Sequence, residues 1–332
     1  MATATDDDNE SAGPLARWTQ SAIQNPEKVY RALFYVAMAF FLVTTMFPFY
    51  WLLVLAVTPS GSLLAGSFLP DINLFGVSAT FPLPVPKGFN PAAFITVFEQ
   101  VPFHLYMLNS FALAVTTTVI VIVVASLAGY VFGRLRFPGR AVLMLGILAV
   151  SYFPPAAFVI PLFEVFAGNA PITLPFTDIP LFTPPRLLNT PGSMVLPFSA
   201  LFMPLSIFIL TTFYGQIPDG LEDAARVEGT TRLGALFRVI MPLSAPGVAT
   251  AAVLTFISVY NEYFFSSIMA TSAEASRWSP IVGGILSYQT QYTTQYNLMA
   301  AASIVGVLPV VILVIVAQER IVSGLTSGAL KE

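Results

Sequence analysis

The sequence has no cysteine and a single histidine, His104. The first absence excludes disulfides and thiolate metal sites, and the second excludes a multi-histidine metal centre within this chain. Neither fixes a compartment. Charge is scarce as well: 9% of the 332 residues are charged against 56% hydrophobic, with mean hydropathy +0.79. Too few charges remain to cover a water-soluble globule, so the composition is that of a membrane protein. A net charge of −3 is too small to imply a nucleic-acid partner. The phosphate-loop pattern G-x-x-x-x-G-K-[ST] is also missing, which leaves the chain without an ATP site of that kind.

What is present is a series of long apolar runs. They fall at about 32–57, 105–132, 141–166, 194–213, 247–270 and 298–316, each long enough to approach or cross ~30 Å of hydrocarbon as a helix. The expected fold is therefore an all-α integral membrane protein with six transmembrane helices. Residues 1–28 are polar, lack the form of a cleavable signal, and read as a tail. With the N-terminus inside, the inner connections carry Arg17, Lys28, Arg31, Arg134, Arg136, Arg140, Arg226, Arg232, Arg238, Arg320 and Lys331, against Lys87, Arg186 and Arg277 outside. The positive-inside rule then makes both termini cytoplasmic. It also places the 214–247 connection in the cytoplasm.

That connection, YGQIPDGLEDAARVEGTTRLGALFRVIMPLSAPG, is a polar segment between apolar runs and reads as two short helices. Asp219 is placed to cap the first and Glu222 to complete a capping box. Gly229 ends it in the left-handed conformation, and Thr230 is placed to cap the second. Leu233, Leu236, Phe237 and Ile240 fall on one face of the second helix, which Pro242 and Pro246 terminate. Ala224 and Ala225 leave a low surface that another protein can approach, rimmed by Glu222, Asp223, Arg226 and Glu228.

Elsewhere the signals are weaker. The outer connections 58–104 and 167–193 are rich in Pro, Gly, Phe and Leu and suit compact ordered loops, short interfacial helices or plain connectors. Gly129 with Gly133, and Ala302 with Gly306, allow helices to approach closely. Pro154, Pro155, Pro161 and Pro309 should break or kink their spans. Glu262 is the one carboxylate well inside a span, where an uncompensated charge is costly, so it should face a cavity or a partner. Tyr260, Asn261 and Glu262 are candidates for a translocation path or for structural hydrogen bonds. Glu164 reads as interfacial.

Several of these pieces carry a resemblance. Asp223, Ala224, Ala225, Gly229, Val239, Met241 and Pro242 are spaced like the EAA loop of ABC importer permeases, with Asp, Val and Met in place of the usual Glu, Ile and Leu. Asn109 and Ser110, the stretch AGYVFGRLRFPGR from Ala128, Asn261 and Glu262, and the closing QERIVSGLTSGALKE are similar to motifs of the carbohydrate branch. In that branch the likeness is to the second permease of maltose- and trehalose-type importers. The resemblance implies that 29–322 form the permease domain and that 214–247 form a coupling helix docking on an ATPase. It further implies that 323–332 are a cytoplasmic tail reaching that ATPase. Implied partners are a second, different permease, an ATPase dimer that binds ATP and Mg, an extracytoplasmic sugar-binding protein, a sugar and membrane lipids. The chain would itself be a transport subunit of the cell membrane, not an enzyme and without a cofactor.

Rival readings fit less well. An ion-coupled secondary transporter usually shows repeated halves and midplane ionisable residues, and a membrane enzyme needs a cluster of catalytic groups. A permease for glycerol phosphate or a peptide stays open, although no span has a basic residue near its middle.

Overall fold

The computed structural model describes residues 26–63, 67–74, 77–80, 83–177 and 179–329. Most of the expected N-terminal tail, with Arg17, lies outside them, as does Lys331. In chain order the elements are α1 (Pro26–Val57), β1 (Asp71–Leu74), β2 (Val77–Thr80), α2 (Ala93–Gln100), α3 (Phe103–Arg134), α4 (Arg140–Ser151) and α5 (Ala156–Ala167). Then follow β3 (Ile172–Thr173), β4 (Pro180–Phe182), α6 (Gly192–Gly215), α7 (Asp219–Val227), α8 (Arg232–Leu243), α9 (Ala245–Tyr260), α10 (Phe264–Met269), α11 (Ile281–Leu286) and α12 (Tyr296–Ala329). The fold is mostly helical but not purely so. The connections 58–104 and 167–193 are ordered: each contains an antiparallel hairpin, β1–β2 and β3–β4, that its sequence does not announce, and the first also contains the short helix α2.

The chain divides into two units. One comprises residues 1–55 and 66–86. Within it Trp51 meets Phe68 edge to face at 5.0 Å, and the Tyr50 hydroxyl donates to the Pro84 carbonyl at 2.6 Å. The other comprises residues 56–65 and 87–332 and carries the remaining features described below.

Four helices, α1, α3, α6 and α12, are long and apolar enough to cross a membrane alone, and the number rises to six if each of two bent pairs is one span. The expected third span is such a pair. Its halves α4 and α5 have 12 residues each, ~18 Å at the α-helical rise, and meet at 83° beside Pro154 and Pro155. The prolines supply the reason, since neither can donate a helical hydrogen bond. Pro161 and Pro309, expected to act likewise, lie inside helices that continue past them. The expected fifth span, 247–270, is not one helix. It stops at Tyr260 and restarts at Phe264, while α8 meets α9 at 85°.

α3 is the centre of its unit and packs lengthwise on α6. At their crossing a Cβ on Gly129 or Gly133 would come within 2.9 Å of Leu210 or the Thr211 carbonyl, so the pair of glycines permits backbone contact. α9 joins α6 through a buried hydrogen bond between Ser206 and Thr255 at 3.0 Å. The main buried cluster gathers Tyr130, Leu210, Tyr214, Leu236, Ile240 and Ala251 at the C-terminal end of α3, directly beneath the 214–247 segment. Leu236 and Ile240 have no exposed surface, and burying each such side chain contributes ~1.5–3 kcal/mol, enough to hold α8 on the bundle.

Candidate coupling site

The polar segment folds as two helices, with local differences from its pattern. The residue before α7 is Pro218, and no side chain caps that terminus. Asp219 and Glu222 are instead committed to Arg134, at the end of α3. The Asp219 carboxylate accepts from Arg134 at 3.0 Å, and Glu222 accepts from Arg134 Nε at 2.9 Å and from the Tyr130 hydroxyl at 2.5 Å. Arg134 also donates to the Ile217 carbonyl at 2.5 Å. Glu222 is therefore not a rim residue: it is buried, and it ties the 214–247 segment to α3. Burial pushes its carboxyl up, but the Tyr130 and Arg134 hydrogen bonds and the charges of Arg134 and Arg226 outweigh this and hold it below the usual carboxylate range.

The α7 C-terminus forms as expected. Gly229 has φ +90°, its N–H donates to Arg226, and the Thr230 N–H donates to Ala225, the two bonds of a Schellman closure. The Thr230 hydroxyl adds a second bond to the Ala225 carbonyl at 2.6 Å. Capping of α8 falls one residue later than expected, on Thr231, whose hydroxyl accepts from Gly234 N–H at 3.1 Å. α8 contains a π-helical stretch, Leu236–Ile240, which shifts the apolar face. Leu236 and Ile240 turn inward while Leu233 and Phe237 remain exposed.

The two alanines separate in the same way. Ala225 is buried against the bundle, and only Ala224 faces outward. Asp223, Arg226 and Glu228 are exposed, and with them Val227, 89% exposed, which the pattern did not single out. Asp223 and Arg226 line a polar cleft of about 230 Å³ with Arg134, Arg136 and Arg232. Pro242 lies apart, exposed in the last turn of α8 before the bend. Tyr130 and Arg134 were visible in the sequence only as part of a motif. Nothing local marks them as the anchor, because their partner is 92 and 88 residues away.

At the other end of α3 a second set of bonds holds the connection between α10 and α11. Tyr106 donates to the Ala273 carbonyl at 2.7 Å, and Asn109 to the carbonyls of Ala275 and Ser279 at 2.8 and 3.0 Å. Ser110 accepts from Ile281 N–H at 2.8 Å. The Asn-Ser pair singled out in the sequence thus pins this loop.

The three candidate path residues do not converge. Tyr260 is buried and donates to the Gly306 carbonyl of α12 at 2.9 Å. Asn261 is exposed at the break. Glu262 is partly exposed and is compensated locally: it accepts from the N–H groups of Phe265 and Ser266 at 2.9 and 3.0 Å and from the Ser266 hydroxyl at 2.9 Å. It caps α10, satisfying N–H groups that a helix start leaves open.

Comparison with known proteins gives a consistent result. Residues 122–326 match a family described as "Binding-protein-dependent transport system inner membrane component". The chain is 34% identical over 301 residues to the sulfoquinovosyl glycerol transport system permease protein SmoH of Agrobacterium fabrum, covering 91% of this chain and 94% of that one. It is 30% identical to the trehalose transport system permease protein SugB of Mycobacterium tuberculosis, over 86% of this chain and 92% of that one. In fold it is similar to a chain of a bacterial ABC transporter involved in alginate import, with TM-score 0.67 and 16% identity over 89% of this chain and 98% of that one.

Proposed function

Because the chain belongs to the family of inner membrane components of binding-protein-dependent transport systems, we propose that it is one permease of a two-permease, ATP-driven sugar importer. In this reading the chain crosses the membrane six times with both ends in the cytoplasm. A second, different permease completes the path, an extracytoplasmic binding protein delivers the sugar, and an ATPase dimer holds ATP and Mg. The chain hydrolyses nothing itself.

The observation that carries the reading is the build of α7. Its inner face is fixed to α3 through Glu222, Tyr130 and Arg134, while Asp223, Ala224 and Val227 stay exposed. A helix anchored on one face and bare on the other is what a docking element needs. ATPase closure would pull on Asp223, Arg226, Glu228 and the Gly229 turn, and the Glu222–Arg134 pair would pass that pull to α3. The sugar assignment is supported by the names of two relatives that match nearly end to end, and by the lack of a basic side chain near the middle of any span, which disfavours a phosphate. Tyr260, Asn261 and Glu262 then shape the bend between α9 and α10 beside the path; they do not contact sugar as a cluster.

The test is co-purification in mild detergent followed by ATPase assay with trehalose and binding protein. Recovery of an ATPase and a second permease, with activity rising only when sugar-loaded binding protein is added, supports the reading. Purification of the chain alone after gentle crosslinking rejects it.

A further inference from the structure

We infer that the chamber between α10 and α11 is a subsite for a neutral, polyhydroxylated ligand. This deepens the sugar-importer reading and rests on it. The chamber has a volume of about 450 Å³, within the ~300–1,000 Å³ typical of small-molecule sites. It lies at the end of α3 opposite the coupling segment, and the bonds from Tyr106, Asn109 and Ser110 hold its loop wall in place.

The lining chemistry is selective. No charged side chain lines the chamber, so an ion entering it would lose hydration without compensation. Ser267, Thr271, Ser279, Ser287 and Gln289 line it with hydroxyl and amide groups. Ser267 and Ser287 donate their own protons to the Phe264 and Gly284 carbonyls, which leaves lone pairs to accept. Thr271 already accepts from Asn189, which leaves its proton to donate. Sugar hydroxyls both donate and accept, and so match a wall of mixed polarity.

Ser279 gives the strongest indication. The residue is only 2% exposed, its hydroxyl makes no hydrogen bond to another described residue, and the oxygen is not sealed from solvent, so the little surface it keeps opens on the chamber it lines. Beside it stands Gly283, also lining the chamber. A Cβ there would collide with Ser279 Oγ, so the missing side chain at Gly283 is what makes room for the hydroxyl. A hydroxyl with no protein partner among the described residues, set in the chamber wall, fits a hydrogen bond to a hydroxyl of a ligand.

The absence of cysteine from the chain supplies the test. The whole importer carrying Ser279→Cys is reconstituted with its binding protein and treated with a small maleimide on the binding-protein side. The probes are trehalose, maltose, diacetylchitobiose and glucose, and uptake is measured in parallel. The sugar that is transported should slow labelling at least threefold. Ser279→Ala should raise the KM for uptake about threefold to tenfold, the loss of one hydrogen bond, with little change in kcat. The double variant Ser279→Ala with Gly283→Ala puts a methyl group on the chamber wall without a clash, since it meets the Cβ of residue 279 at 3.4 Å, and should raise KM further. Wild-type uptake accompanied by unchanged labelling and unchanged KM in the variants overturns the subsite and leaves the importer standing. No uptake of any probe by the wild type, with no rise in ATPase activity, overturns the sugar reading and the subsite with it.

Discussion

Replacing Glu222 by alanine should release α7 from α3. The carboxylate accepts one hydrogen bond from Tyr130 at 2.5 Å and one from Arg134 at 2.9 Å, and bonds to a charged group are each worth ~1.5–3 kcal/mol. The Arg134 side chain is only 4% exposed, but it keeps Asp219 and the Ile217 carbonyl as partners. The penalty for stranding a buried cation is therefore largely avoided. A loss of about 2–4 kcal/mol in local stability follows, which converts to amide exchange in α7 faster by about 30-fold to several hundredfold. Hydrogen exchange read by mass spectrometry over residues 219–227 measures this directly. Glu222→Gln keeps an acceptor oxygen and should cost ~1 kcal/mol, about fivefold. The ATPase of the Glu222→Ala importer should still respond to nucleotide while uptake falls. Exchange in Glu222→Ala within threefold of wild type, or full uptake, would refute the anchor.

Gly229→Val should abolish uptake without removing the chain from the membrane. Nothing lies within 4 Å of the missing Cβ, but φ is +90°, and a left-handed β-branched residue costs at least ~1–2 kcal/mol; normal uptake by the valine variant would count against the docking geometry. Cysteine at Val227 should crosslink to the ATPase far more readily than cysteine at Ala225, as their exposures of 89% and 8% require; equal yields would mean that α7 docks by another face. The Glu222 carboxyl is held below its ordinary value of 4.5, so its contribution is complete above that pH and lost as pH falls through the lower folded value. The melting advantage of wild type over Glu222→Gln should accordingly be constant at neutral pH and vanish only in stronger acid. Glu262→Ala should destabilise the start of α10 by ~1 kcal/mol, read as faster exchange at Phe265 and Ser266; unchanged exchange there would show that the cap is dispensable.

The apolar runs gave away the long helices because 20 or so hydrophobic residues have few other fates. The breaks were harder to read. Pro154 and Pro155 announce one, but the interruption at Asn261–Tyr263 carries neither proline nor glycine, and only the bonds that Glu262 makes to the start of α10 show why the chain turns there. In the 214–247 segment the Gly229 closure was legible because it is local. The place of Glu222 was not, because a Glu near a helix start has two uses, and Tyr130 and Arg134 are distant in sequence. The adjacent threonines Thr230 and Thr231 are equivalent as caps on paper, and packing chose the second. The inward and outward sorting of Leu233, Leu236, Phe237 and Ile240 failed because a π-helical stretch does not keep the 3.6-residue period.

α3 runs 32 residues, ~48 Å, with no proline, and both of its ends are bonded to parts outside it. Tyr106, Asn109 and Ser110 grip the chamber loop; Tyr130 and Arg134 grip α7. It can therefore work as a connecting rod. A 5° tilt about its midpoint moves each end about 2 Å in opposite directions, given that length. One side of the membrane can then sense the other through a single stiff part, with no relay of side chains between them.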